Sequence, residues 1–153
     1  MAGGIELPVR VYWEDTDGGG IVYYANYLRF LERARTEWLR ARGHSQGELA
    51  RTGGVLFTVV HLEITYLRPA KLDDQLLVSC EVRPAQLDDE LLVSCEVRPE
   101  GRASLRFAQR ITRAGAALVE ASARVACLNA DTLKPRRLPQ FCLALEPLPP
   151  PGG

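Results

Sequence analysis

The chain reads as an α+β protein in which one long helix near the start packs against a single antiparallel sheet. Tyr27, Leu28, Leu31, Ala34, Trp38 and Leu39 recur at intervals of three and four, which traces one stripe along a helix. After Gly53 and Gly54 the pattern becomes alternation, and apolar runs follow one another between Asp-, Gly- and Pro-containing turns. With 153 residues, 46% apolar and 25% charged, the chain suits one domain with a sizeable core.

The elements follow in order. Residues 8–14 alternate as a short strand. The helix is predicted from about Val22 to Arg42, with Gly43 as its C-terminal stop. A strand follows over Val55 to Tyr66, in which Thr58, Val60, Leu62, Ile64 and Tyr66 are expected to share a face, and Pro69 ends it. Further strands are predicted at 76–82, 91–97, 103–112 and 117–128. The single domain is expected over residues 1–146, and the Pro/Gly-rich stretch 147–153 reads as a disordered tail.

Residues 68–82 recur at 83–97, with Lys71 replaced by Gln86 and Gln75 by Glu90. A solenoid needs at least about three stacked units, so this is a tandem duplication of one turn and one strand. Strand direction alternates in an antiparallel sheet, and one extra strand would reverse everything downstream. One copy is therefore expected in the original slot and the other as an excursion, at a loop cost that grows slowly with length. The residues from Arg98 to Ala103 resemble a short hairpin link, which favours 91–97 as the retained strand. The extruded copy would then be an apolar segment able to pair at an edge.

Lys+Arg and Asp+Glu balance at 19 each, with no basic face in the order of charges, so no nucleic-acid partner is expected. The start lacks the basic and apolar regions of a signal peptide, and no stretch approaches the roughly 18 apolar residues of a membrane span. A cytoplasmic location is expected. Cys80, Cys95, Cys127 and Cys142 show no metal-ligand spacing and read as reduced structural thiols.

The segment from Val11 to Trp38 carries the chemistry. It holds the acids Glu14, Asp15 and Asp17, the glycines Gly18, Gly19 and Gly20, and then the helix. On a strand, Asp15 and Asp17 would share a face and Glu14 would take the other. The glycines let a substrate approach closely, and the amides from about Ile21 to Ala25 would be unpaired donors at a positive helix end. A carboxylate there suits attack on a polarised carbonyl. An ordinary turn or helix cap is the competing reading. A calcium loop fails because Asn26 falls where a bidentate Glu is needed. Neither metal nor cofactor is expected. Glu32 and Glu37 read as helix salt-bridge partners, His44 and His61 as solvated or packed residues, and Asp73, Asp74, Asp88 and Asp89 as turn acids.

Residues 12–27 (YWEDTDGGGIVYYANY), 32–37 (ERARTE), 66–74 (YLRPAKLDD), 104–111 (SLRFAQRI) and 134–139 (KPRRLP) cover nearly the whole chain. Together they resemble the hotdog-fold acyl-CoA thioesterases of the 4-hydroxybenzoyl-CoA thioesterase family, in its Tol–Pal-associated, YbgC-like branch. The resemblance implies a long helix wrapped by a curved antiparallel sheet, and active sites formed between subunits of a homodimer or homotetramer. It implies hydrolysis of short-chain or aromatic acyl-CoA. The family's essential carboxylate falls on Asp17, as nucleophile or general base. The Tyr24 amide would polarise the thioester carbonyl, with Gly19, Gly20, Ile21, Val22, Tyr23 and Asn26 lining the substrate.

Two departures stand out. The branch usually carries histidine where this chain has Tyr24, and a phenol titrates near 10 rather than near 6.5. Altered activity is the expected consequence. The duplication is the second departure. Competing readings are a hydratase, which would pair a carboxylate with a histidine that this segment lacks, and a non-catalytic protein that binds acyl-CoA or acyl carrier protein.

Overall fold

The computed structural model describes residues 4–84 and 104–143. The predicted strand 91–97 and the tail 147–153 lie outside them. β1 spans Gly4–Arg10, α1 Asn26–Ala41, α2 Gln46–Glu48, β2 Val55–Tyr66, β3 Gln75–Pro84, β4 Ser104–Arg113, β5 Ala116–Asn129 and α3 Gln140–Leu143. The strands form one antiparallel sheet in the order β1-β3-β4-β5-β2. This is the hotdog arrangement, with β1 and β2 at its two edges.

The first strand lies earlier than the alternation over 8–14 suggested. Past Arg10 the chain turns away, and a 3₁₀ turn occupies Trp13–Asp15. The cause is local: the Asp15 carboxylate accepts from the Tyr12 amide at 2.9 Å, and the Asp15 amide donates to the Tyr12 carbonyl at 3.0 Å. A side chain that satisfies the backbone in this way competes with the ladder.

α1 begins at Asn26, later than Val22, because Val22 still pairs with Thr16 and Tyr23 still donates to the Asp15 carbonyl. Its buried face is Tyr27, Phe30, Leu31, Ala34, Trp38 and Leu39. Leu28, assigned to the stripe from sequence, is 38% exposed, whereas Phe30 is fully buried. Phe30 lies about 60° from Tyr27 around the helix on the core side, and Leu28 lies about 100° the other way. Each large apolar side chain sealed here contributes on the order of 1.5–3 kcal/mol. The helix packs on β1 and β3, and Trp38 meets Phe107 of β4 edge-on at 5.4 Å.

β2 occupies the predicted range but carries a bulge. Val59 pairs with Val125 and His61 with Arg124, so Val60 is the extra residue. The inward face therefore changes along the strand: Val55 and Phe57 face the core before the bulge, and Leu62 and Ile64 after it. The uniform face expected from Thr58 to Tyr66 holds only for its second half, since a bulge shifts the alternation by one. Val60 is left 57% exposed.

The duplication resolves opposite to the sequence reading. β3 is built from the first copy and pairs with β1 on one side and β4 on the other, with Val78 opposite Leu7 and Ile111. Leu76, Val78 and Cys80 face the core, all at most 1% exposed. The hairpin-like residues 98–103 did not decide the matter; the turn before β3 did. Leu67 and Arg68 both donate to the Leu118 carbonyl, and Ala70 is fully buried with its amide donating to the Tyr27 hydroxyl at 3.0 Å. The first copy thus leaves β2 with no slack. Extra chain placed after β3 enlarges only a hairpin connection, which is entropically cheap.

Candidate active site

The acidic segment forms a small closed loop. Thr16 bridges Val22, and the Asp17 amide donates to the Ile21 carbonyl at 3.0 Å. Gly18 and Gly20 take left-handed φ values of 90° and 88°, which an L side chain would adopt only under strain. Gly19 is needed for a different reason: its amide donates to Asp17 Oδ1 at 2.8 Å, and a Cβ there would sit 3.2 Å from the same oxygen.

The loop is clamped from beneath by the turn before β3. The Val22 amide donates to the Ala70 carbonyl at 2.9 Å, Leu72 donates to Gly20, and Ile21 bridges Lys71. That turn is itself tied down. Asp74 accepts from the Lys71 amide at 2.8 Å and from Arg113 at 2.6 Å. Desolvation raises the Asp74 pKa, but the Lys71 amide and the Arg113 guanidinium outweigh it and hold the carboxyl below its ordinary value.

The three acids take different roles. Asp15 is 8% exposed and wholly structural: its carboxylate holds the Tyr12 amide, and its carbonyl accepts from the Tyr23 amide and from Asn26 Nδ2. Asp17 is exposed on the loop, as is Glu14. The shared face expected for Asp15 and Asp17 does not form, because the 3₁₀ turn replaces the strand.

The bridge between Thr16 and Val22 sets Asp17 next to one end of the loop and Tyr24 two residues past the other. Tyr23 uses its amide on Asp15, and Asn26 uses its own on the Tyr23 carbonyl at 2.8 Å. The amides of Tyr24 and Ala25 donate to no acceptor among the described residues, and they lie at the positive end of α1. Gly19, Gly20, Ile21 and Tyr23 face solvent around them to varying degrees, whereas Val22 is buried and Asn26 is engaged with Asp15.

Sequence reading missed the aromatic wall beside this end. Tyr66 donates its hydroxyl to the Tyr24 carbonyl at 3.1 Å, which fixes the orientation of the Tyr24 residue. The Tyr24 and Tyr66 rings meet edge-on at 6.3 Å, and Tyr23 lies 4.9 Å from Tyr24. The Tyr23 pKa is raised, chiefly by its hydrogen bond with Tyr24, and burial raises those of Tyr27 and Tyr66. All three phenols therefore stay protonated near neutral pH. Tyr24, Tyr66, Leu67, Arg68 and Pro69 line an open depression of about 240 Å³. The only signal for Tyr66 and Arg68 was their place in the segment YLRP, with no chemistry of its own.

The remaining candidates are accounted for locally. Glu37 pairs with Arg40 at 3.3 Å as expected, but Glu32 lines a cleft instead. His61 meets Glu63 at 3.3 Å, and His44 stacks on Phe141 at 4.0 Å. Burial pushes Cys80 and Cys142 up to about 12 and Cys127 up to about 11, so these thiols are inert. Cys95, Asp88 and Asp89 fall outside the described residues. No helix among the described residues is long and apolar enough to cross a membrane.

A helix held against a five-stranded antiparallel sheet, with a glycine loop and an acid at the helix start, defines a hotdog-fold thioesterase. Comparison with known proteins bears this out. Residues 19–83 match the model of the thioesterase superfamily. The acyl-CoA thioesterase YbgC of Haemophilus influenzae is 42% identical over 137 residues, covering 90% of each chain. A probable thioesterase from Bartonella henselae is 35% identical with a TM-score of 0.73, covering 89% of this chain and 99% of that one. A 1,4-dihydroxy-2-naphthoyl-CoA thioesterase from Synechocystis superposes with a TM-score of 0.75 at 25% identity, covering 90% and 91%. The chain belongs to the thioesterase superfamily, in the group whose curated members are named acyl-CoA thioesterases.

Proposed function

We propose that this protein hydrolyses short-chain or aromatic acyl-CoA, with Asp17 as the reacting carboxylate. The carrying observation is the loop closed by Thr16 and Val22, which sets Asp17 and the free amides of Tyr24 and Ala25 at one end of α1. The thioester oxygen accepts from these amides, and the helix end stabilises the charge that develops on it. Asp17 then either attacks the carbonyl carbon, expelling CoA thiolate and leaving an anhydride that water cleaves, or takes a proton from water as that water attacks. In both routes the products are the free acid and CoA.

An assembly of subunits would fit the same reading. Among the described residues no strand pairs with the outer edge of β2, and Val59, Val60 and Tyr66 are exposed on this strand, with Tyr24 against Tyr66. A second copy in a homodimer or homotetramer would cover this surface and close the open site. Arg68 at the rim suits a CoA phosphate.

The test is thiol release from a panel of acyl-CoAs. Wild type should turn over at least one, and Asp17→Asn should lower kcat by roughly 10²–10⁴. Hydrolysis unaffected by Asp17→Asn would sink the mechanism. Failure on every thioester, acyl carrier protein conjugates included, would favour a binding protein, the reading to which Tyr24 in place of histidine lends weight.

A further inference from the structure

A second cleft lies away from the Asp17 loop, between the C-terminal half of α1 and the sheet. It encloses about 220 Å³ and is walled by Trp38, Leu39, Phe57, Leu105 and Phe107. An apolar cavity of roughly 150 Å³ admits benzene, so a compact acyl group fits here. Its lining is not purely apolar. Arg35 enters from α1, with Glu32 one turn before it and Thr36 beside it.

Arg35 is the unusual group. A guanidinium has five N–H donors, yet among the described residues Arg35 makes one hydrogen bond, from Nη1 to Gln109 Oε1 at 2.9 Å. Gln109 is 4% exposed and cannot adapt, because its Nε2 donates to the Leu31 carbonyl at 2.9 Å. Burial disfavours the charge on Arg35, and the partner that holds it is neutral. Glu32 is the nearby counter-charge, but it is exposed and screened by water. A partly buried cation on a neutral amide, with donors to spare beside an apolar cleft, is complementary to an anion on a short apolar stem.

We infer that this cleft receives the acyl part of the substrate and that Arg35 selects acyl groups whose far end carries a carboxylate. The inference rests on the thioesterase reading and names its substrate class. The amides at the start of α1 would hold the thioester, and the cleft, about 9–18 Å along the same helix, would hold the acyl end of a substrate shared between subunits. A hydroxyl-ended group would use Arg35 and Glu32 together, and a methyl-ended one would use neither.

The experiment compares kcat/KM for acyl-CoAs of equal length ending in methyl, hydroxyl or carboxylate, using the full chain. A preference for the carboxylate of about 10- to 100-fold is expected, as for one charge-assisted hydrogen bond. Arg35→Met should abolish that preference, so that carboxylate- and methyl-ended substrates are turned over with comparable kcat/KM. Thr36→Phe, which fills part of the cleft, should depress all three relative to acetyl-CoA. Titration calorimetry with a free dicarboxylate of matching length supplies a readout independent of turnover, and binding lost in Arg35→Met supports the assignment. Equal rates for the three substrates, or preference for hydroxyl, would overturn it. If no thioester is cleaved, the thioesterase reading fails, and dicarboxylate binding alone decides the cleft.

Discussion

The sharpest test of how the site is supported is removal of one oxygen, in Tyr27→Phe. Tyr27 is 3% exposed, and its hydroxyl accepts from the amide of Ala70, which is fully buried. Phenylalanine keeps the ring contacts with Phe30 and Tyr66, at 6.3 and 5.4 Å, so almost no packing is lost. What remains is a buried N–H with no acceptor, which costs about 1–3 kcal/mol. For a chain of this size that lowers Tm by roughly 2–4 °C per kcal/mol, hence about 4–8 °C at the middle of the range. The loss should also reach the chemistry, because the Ala70 carbonyl holds the Val22 amide and the next residue bridges Ile21. Urea unfolding of Tyr27→Phe beside Tyr66→Phe makes the comparison. The Tyr66 hydroxyl is exposed, and its removal should cost under about 1 kcal/mol. Equal losses for the two variants would mean that the Ala70 amide is not the burdened group, and that the turn does not depend on Tyr27.

Further outcomes follow from the same geometry. Asp74→Asn should flatten the acid limb of the stability curve: a carboxyl held below its ordinary value contributes stability above its unfolded pKa of about 3.8, and loses it as pH falls through the folded value. Urea midpoints between pH 3 and 6 check this, and an unchanged acid limb refutes it. Deleting residues 83–97 joins Val82 to Arg98 and Pro99, the same dipeptide that follows it now, so β1, β3 and β4 should pair as before. Circular dichroism and thermal unfolding should show a fold as stable or more stable, while unfolding would mean that the second copy contributes contacts of its own. Tyr24→His should raise the rate on short acyl-CoA in steady-state assays if the phenol is what limits it, and an unchanged rate would leave the backbone amide as the sole contribution.

Much of the fold was legible because period is a strong signal. The helix stripe and the strands at 55–66, 104–113 and 116–129 are close to their predicted bounds. The misreadings arose where a specific hydrogen bond or an inserted residue outweighed a pattern. Asp15 closed a turn on Tyr12 and ended the alternation at 8–14; the Val60 bulge changed the inward face of β2; and the Ala70 turn placed the first copy, not the second, in the β3 slot. None of these is written in hydrophobic periodicity, because each depends on a specific hydrogen bond or on one inserted residue. The glycine loop was legible for the opposite reason, since its glycines and acids are adjacent in the chain.

The loop nevertheless explains less by itself than its motif suggests. Asp17 on an exposed loop, engaged by the Gly19 amide, is a solvated carboxylate, and water competes with it for any bound carbonyl. The amides at Tyr24 and Ala25 face the same competition. Electrostatic stabilisation of an oxyanion is strong only where water is excluded. Among the described residues nothing excludes it, since Tyr12, Trp13, Tyr23 and Tyr24 stand 46–69% exposed around the loop. These rings form an exposed apolar surface around the loop that a second copy would cover. Assembly is therefore a catalytic requirement of the proposed mechanism. Charge-bearing substitutions on the outer edge of β2, such as Val60→Asp, should lower kcat in step with loss of the oligomer by sedimentation. A fully active monomer would show that the loop shields its own chemistry.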